Sequence, residues 1–234
     1  MSHRRVAHAE VVVMSSNWLL SRLSRADARL LQPHLKVVDL PVRKQLEARK
    51  KRVAEVYFLD TGLASVVANG GHPIEVGMIG REGMTGLSVV LDGDYRTIHE
   101  TFMQIGGGGQ CISADKLRGA IDASTTLHQV LLRFAHAFMI QATHTALANG
   151  RSKIEERLAR WLLMAHDRVD GNELILTQQF LATMLGVRRS GVTVALQQLE
   201  RIGLISHRRG RITILDRQAL VTNSNGAYFP IGER

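Results

Sequence analysis

The sequence predicts an α+β chain in which an N-terminal antiparallel β-roll is followed by a long helix and a C-terminal winged helix-turn-helix. Three observations carry this. Residues 35–112 run as short apolar-alternating segments separated by Gly and Asp-Gly turns. Residues 125–149 keep apolar residues at alternating steps of four and three. Residues 177–205, TQQFLATMLGVRRSGVTVALQQLERIGLI, read as a helix, a tight Gly turn and a second helix that begins with arginines.

The chain opens with MSHRRVAHAEVVVM, basic and then apolar, where Glu10 interrupts a run too short for a signal-peptide core. NWLLSRLSRADARLLQPHL then reads as short helices anchored by Leu19, Leu20, Leu23, Leu30 and Leu31, with Ser24 and Asp27 spaced as at a helix start. The segments LKVVDL, EVYFLDTG, ASVVANG, IEVGMIG, TGLSVVLDG and ETFMQIGGGGQCIS have the length and spacing of strands in a closed β-barrel or roll. The polar run 42–53 interrupts them and reads as a solvated loop rather than a helix. Gly106 to Gly109 read as a flexible turn, since no helix or lysine follows as in phosphate-binding loops.

On the long helix, Leu127, Leu131, Phe134, Phe138, Gln141 and Thr145 trace a seam of the coiled-coil kind, so they are the expected dimer interface. Leu132, Ala135, Met139, Ala142 and Ala146 form an adjacent second face. One broad apolar surface serving a single-chain core is the competing reading. Asn149-Gly150 is the expected boundary and hinge. SKIEERLARWLLMAHDRV follows as an amphipathic helix with Ile154, Leu158, Trp161, Leu162 and Ala165 inward. The expected organisation is therefore a roll with flanking helices at 15–124, a dimerisation helix at 125–149, a winged helix-turn-helix at 150–220 and a tail at 221–234.

Within the helix-turn-helix, Thr177 is placed to cap the first helix, and Phe180, Leu181, Met184 and Leu185 form its inner face. Gly186 suits the left-handed stop. Val192, Ala195, Leu196 and Leu199 turn the second helix inward, leaving Arg189, Ser190, Thr193, Val194 and Gln197 on or beside the outer face to meet bases. HRRGRITIL then reads as a β-hairpin wing. The basic residues from 177 to 217 are Arg188, Arg189, Arg201, Arg208, Arg209, Arg211 and Arg217, all arginine, against Glu200 and Asp216. Guanidinium groups bind phosphate and guanine in bidentate fashion, so this bias fits a DNA-facing surface.

Composition agrees. The 234 residues carry a formal charge of +9 and a pI of about 10.4, which favours a polyanionic partner, double-stranded DNA over a membrane. A single cysteine, Cys111, forms no internal disulfide and holds no cysteine-ligated iron–sulfur cluster, so none is expected and a reducing cytoplasm is the simplest location. No metal-ligand spacing, nucleophile–base pair or paired carboxylates emerge, which argues against an enzyme.

The order of elements resembles the CRP/FNR family of bacterial transcription regulators across nearly the whole chain. The resemblance is carried by YFLDTGLASVV, GREGMTGL at 80–87, the Arg-Thr pair of DGDYRTIHE, LTQQFLATMLGVRRSGVTVALQQLERIGLI and RGRITI. It implies a roll of the cupin-like, cyclic-nucleotide-binding kind, a homodimer, and DNA and RNA polymerase as partners. Gly83, Arg96, Thr97 and Thr143 match the family's ligand positions, while Met84 stands where cyclic-nucleotide binders place a ribose-binding Glu. Met cannot accept from a hydroxyl, and an unpaired buried hydroxyl costs roughly 1–3 kcal/mol, which argues against conventional cyclic AMP binding and leaves the effector unassigned. Arg96 reads equally as a partner of Asp92 or Asp94.

By the same resemblance Arg189, Ser190 and Val194 occupy the base-reading positions, and Thr177, Arg188, Arg209 and Gly210 contact phosphate. Gly191 inside the reading helix costs about 1 kcal/mol against Ala and reads as allowing close approach to the DNA backbone. The function expected is a sequence-specific, dimeric transcription regulator. The alternative is a non-enzymatic sensor or adaptor that binds a nucleotide-like ligand and uses its C-terminal domain for protein contacts.

Overall fold

Short alternating strands with apolar inner faces fold as two antiparallel sheets in the computed structural model, which describes residues 15–91 and 96–230. Strands β1 (Lys36–Leu40), β7 (Gly107–Ser113) and β3 (Glu55–Leu59) form one sheet in the order β1-β7-β3. Strands β2 (Gln45–Glu47), β6 (Glu100–Ile105), β4 (Leu63–Asn69) and β5 (Pro73–Ile79) form the other, in the order β2-β6-β4-β5. Their facing side chains, among them Leu40, Val56, Phe58, Ile79, Met103 and Ile112, are buried as one core. The 42–53 run contains β2 between turns and no helix.

The glycine run is a strand, not the flexible turn its composition implies. Gly107 to Gly109 lie in β7, the central strand, paired with β1 on one side and β3 on the other. A Cβ on Gly107 would come within 2.2 Å of the Thr61 carbonyl oxygen, and one on Gly109 within 2.2 Å of that of Phe58. Close backbone approach explains the composition.

Helices α1 (Trp18–Ser21) and α2 (Arg25–Leu31) precede the roll. Asn17 caps α1 by accepting from the Leu19 and Leu20 amides, and its own amide donates to the carbonyls of Leu59 and Gly83, both at 2.8 Å. Ser24 caps α2 as its spacing predicts, accepting from the Asp27 amide at 3.1 Å while its hydroxyl donates to the Asp27 carboxylate. Helix α3 (Leu87–Val90) stands where TGLSVVLDG reads as a strand, since Gly86 in the left-handed region turns the chain into a helical turn, and α4 (Ala114–Ala123) has no counterpart in the sequence reading. In α4 the signal is Ser113, which caps the helix, with Leu117 and Ile121 four residues apart and both buried.

Helix α5 (Thr125–Arg151) corrects two expectations. Gly150 lies within its last turn, and the break to α6 (Ile154–His166) falls at Ser152 and Lys153, both extended. The expected dimer seam also faces its own chain. Leu127, Leu131 and Phe134 are buried in the roll core, and Phe138 packs against it. The Gln141 side chain accepts from the Met78 amide at 2.6 Å and donates to the Met78 carbonyl at 3.1 Å, docking α5 along β5. Thr145 is buried and accepts from Arg160. The large apolar residues remaining on the outer side are Leu132, Met139 and Leu147, 37%, 59% and 49% exposed.

The C-terminal unit packs α6, α7 (Gln178–Leu185), α8 (Arg189–Arg201) and α9 (Arg217–Asn223) around a core that includes Leu158, Trp161, Leu181, Val192 and Leu199. Strands β8 (Glu173–Ile175), β10 (Arg211–Ile214) and β9 (Ile205–Arg208) close it in the order β8-β10-β9. Roll residues Leu63, Val67 and Met78 belong to the same core, so the two units share one interface. Helix α9 carries the fold past the expected tail start at 221. Among the described residues no helix is long and apolar enough to cross a membrane.

Candidate nucleic-acid interface

Thr177 caps α7, its hydroxyl oxygen accepting from the Phe180 amide at 3.2 Å. Gly186 ends the helix at φ +61°, in the left-handed region that a Cβ disfavours. The chain then re-enters helix after Arg188, whose extended backbone sets the start of α8. Val192, Ala195, Leu196 and Leu199 are buried beneath it. Arg188, Arg189, Ser190, Val194 and Gln197 stand exposed on or before its opposite side, and Val194 is 53% exposed.

Two of the singled-out residues do something else locally. The Thr193 hydroxyl is directed to Gln178 Oε1 at 2.9 Å and to the Arg189 carbonyl at 3.1 Å, so it ties α8 to α7. Gly191 faces α6: a Cβ there would meet Ile154 Cδ1 at 3.2 Å, so it permits a close approach within its own chain. Ser190 and Val194 border a shallow groove with Ile154 and Glu155.

The wing is a two-residue hairpin. Arg208 pairs with Arg211, and Arg209 and Gly210 between them have φ of +43° and +79°, the paired left-handed turn whose twist matches the strands. The arginines divide by role. Arg211 is bonded to Glu173, and Arg217 donates to Asp167 at 2.7 Å and Tyr228 at 2.8 Å, so both are neutralised within the fold. Arg188, Arg189, Arg201, Arg208 and Arg209 are exposed and have no carboxylate within ion-pair distance among the described residues. Helix start and wing thus offer uncompensated guanidinium groups on one domain, with the chemistry to bind phosphates and base edges.

The roll positions matched to a ligand differ in their surroundings. Gly83 and Met84 are buried, and a Cβ on Gly83 would lie 2.3 Å from the Phe134 ring, which occupies the space beside it. Met84 is fully buried and bridges to Phe58 in the roll core. Arg96 is exposed, next to Arg52. Thr97 is buried, and its hydroxyl donates to the His99 carbonyl at 3.3 Å. Thr143 is exposed on α5 and donates to the Met139 carbonyl at 2.9 Å. Phe134 and Met84 thus fill the space beside Gly83 with apolar side chains. Asp92 and Asp94 lie outside the described residues.

Instead, the turn at 80–83 ties the roll to the C-terminal unit. Arg168, 1% exposed, donates through Nε and Nη2 to Glu82 Oε1 at 2.8 and 2.7 Å. Arg81 pairs with Asp170 at 2.8 Å. Below them Glu75 of β5 is buried, accepting from Ser65 at 2.5 Å and from Trp161 Nε1 at 2.7 Å. Desolvation pushes its pKa up to about 7, opposed by those two hydrogen bonds and by Arg160 and Arg168. The ties between the two units had no local sequence signature, since Glu82–Arg168, Glu75–Trp161 and Arg81–Asp170 each join residues 86 to 89 positions apart.

Residues 156–222 match the Crp-like helix-turn-helix domain. No curated protein matches the sequence. Three solved structures share the fold. A putative transcriptional regulator of the CRP/FNR family from Eubacterium rectale is 19% identical with a TM-score of 0.69, covering 89% of this chain and 98% of its own. FixK2 from Bradyrhizobium japonicum is 18% identical with a TM-score of 0.69, covering 81% and 96%. A CRP-family regulator from Thermus thermophilus is 20% identical with a TM-score of 0.66, covering 83% and 98%.

Proposed function

We propose that this chain, a CRP/FNR-type DNA-binding regulator by its Crp-like helix-turn-helix domain and its fold, acts in the cytoplasm as a homodimer that reads a near-palindromic operator. The observation that carries the reading of DNA is the uncompensated arginine set on the start of α8 and on the wing. Arg189 reads a base edge, Ser190 and Val194 meet neighbouring bases, Gln197 extends the surface, and Thr177, Arg188, Arg209 and Gly210 hold phosphates. Thr193 supports the reading helix from behind.

An Arg189→Ala variant should lose discrimination at one operator position by about 1–3 kcal/mol, with binding still falling as salt rises. Titration of operator duplexes mutated one position at a time measures it. Equal weakening on every duplex would reassign Arg189 to a phosphate.

The partner helix packs on the outer side of α5, where Leu132, Met139 and Ala146 follow at steps of seven with His136 and Thr143 between. That is heptad spacing on the face the roll leaves open. A Met139→Asp variant buries a charge in that seam and should weaken self-association by at least about tenfold, leaving the monomer fold unchanged because the side chain is exposed. Light-scattering mass across a dilution series reads this. A variant that stays dimeric places the interface elsewhere.

A further inference from the structure

A cavity of about 400 Å³ lies between α1, α5, α6 and the segment 229–230, apart from Arg96 and Thr97. Its size falls within the ~300–1,000 Å³ of small-molecule sites. Apolar walls come from Trp18, Phe134, Phe138, Met164 and Phe229. The charges are one-sided: Arg22, Arg133, Arg160 and Arg168 line it against Glu82 alone, and Glu82 is already bonded to Arg168.

Arg160 is the decisive member. It is 7% exposed, its Nη2 donates to the Thr145 hydroxyl at 3.0 Å, and its buried Nε has no hydrogen-bond partner. No carboxylate lies within ion-pair distance of it among the described residues, and the nearest acidic influence, Glu75, is committed to Ser65 and Trp161. Burial lowers its pKa only to about 10, so it remains a cation at neutral pH. A buried guanidinium with no carboxylate within ion-pair distance is unfavourable unless something supplies a counter-charge.

We infer that this cavity binds a small organic anion, with a carboxylate or phosphate head toward Arg160 and an apolar body against the aromatic walls. Arg22 and Arg133, exposed at the mouth, draw the anion in. The occupant touches both the long helix and the first helix of the DNA-reading unit, so its binding energy is available to bias their relative setting. That consequence rests on the regulator reading, whereas binding of the anion does not.

The test uses the full chain and 8-anilinonaphthalene-1-sulfonate, an aromatic sulfonate whose emission rises on leaving water. Saturable binding of one probe per chain is expected, displaced by decanoate or by adenosine monophosphate but not by decanol; which of the two anions competes identifies the head group. Arg160→Met should weaken the probe by about tenfold or more, the loss of a charge-assisted contact, and Arg96→Gln should leave it unchanged. Ala137→Phe, which fills the cavity from the exposed side of α5 without removing a charge, should also block the probe. Should Arg160→Met fail to fold, the Ala137→Phe variant and the decanoate–decanol comparison decide alone. Displacement by decanol as effective as by decanoate, displacement by neither anion, or full affinity in Arg160→Met or Ala137→Phe would overturn the assignment.

Discussion

Replacing Glu82 by Met should destabilise the protein by about 3–5 kcal/mol, the cost of leaving a buried charge without its partner. Arg168 is 1% exposed, and two of its nitrogens donate to the same Glu82 oxygen, while its Nη1 donates to the Met164 carbonyl at 2.7 Å. Once the carboxylate is gone, the guanidinium keeps only that carbonyl among these contacts, and water has little access. The pair also joins two units, so the loss should appear as more than a shifted midpoint. Urea unfolding followed separately through the roll and through Trp161 should change from one transition to two, because a buried ion pair between them is removed. The double variant Glu82→Met with Arg168→Met removes both charges and should recover a large part of the loss, since a buried ion pair replaced by apolar groups is often near neutral. A single variant that loses less than about 1 kcal/mol, with no recovery in the double, would show that the pair does not hold the units together.

The reach of the sequence follows the range of the interactions involved. Thr177, Gly186, Arg209 and Gly210 are legible because capping, a left-handed stop and a two-residue hairpin are decided within a few residues. The inner face of α8 is legible for the same reason, since helical spacing places Val192, Ala195 and Leu199 together. On α5 the spacing shows two apolar faces but not which one meets the roll. That choice depends on Gly77 and Gly83, whose missing side chains admit Phe138 and Phe134. Gly107 to Gly109 were misread because their strand is set by β1 and β3, some seventy and fifty positions earlier. At Gly191 the composition shows only that a side chain is missing, and the fold adds that Ile154 packs beside it. Ligand positions are less legible still: a motif places Arg96 and Thr143 in the chain, whereas the packing of Phe134 beside Gly83 is set only by the fold.

Stability should depend on pH through Glu75. Its folded pKa is raised to about 7 from an ordinary value near 4.5, chiefly by desolvation. The folded state therefore holds this proton more tightly than the unfolded chain. The stabilisation is fully present below about pH 4.5, is lost progressively as pH rises toward 7, and is absent above that. A shift of this size corresponds to roughly 3 kcal/mol, at about 1.4 kcal/mol per pH unit. Protonated Glu75 can donate to the Ser65 oxygen while still accepting from Trp161 Nε1, so both hydrogen bonds survive the reversal of one donor. Glu75→Gln keeps the amide oxygen for Trp161 and the amide protons for Ser65 without a charge to desolvate. The variant should match wild type near pH 5 and exceed it by up to about 3 kcal/mol at pH 8, as read from urea midpoints at each pH. Arg160 and Arg168 act in the opposite sense by stabilising the carboxylate. If their field outweighed desolvation, Glu75→Gln would instead be less stable than wild type at pH 8, and Glu75 would be an ionised counter-charge for the arginines. The sign of that difference decides whether the roll and the DNA-reading unit meet through a neutral hydrogen-bonded acid or through a buried charge.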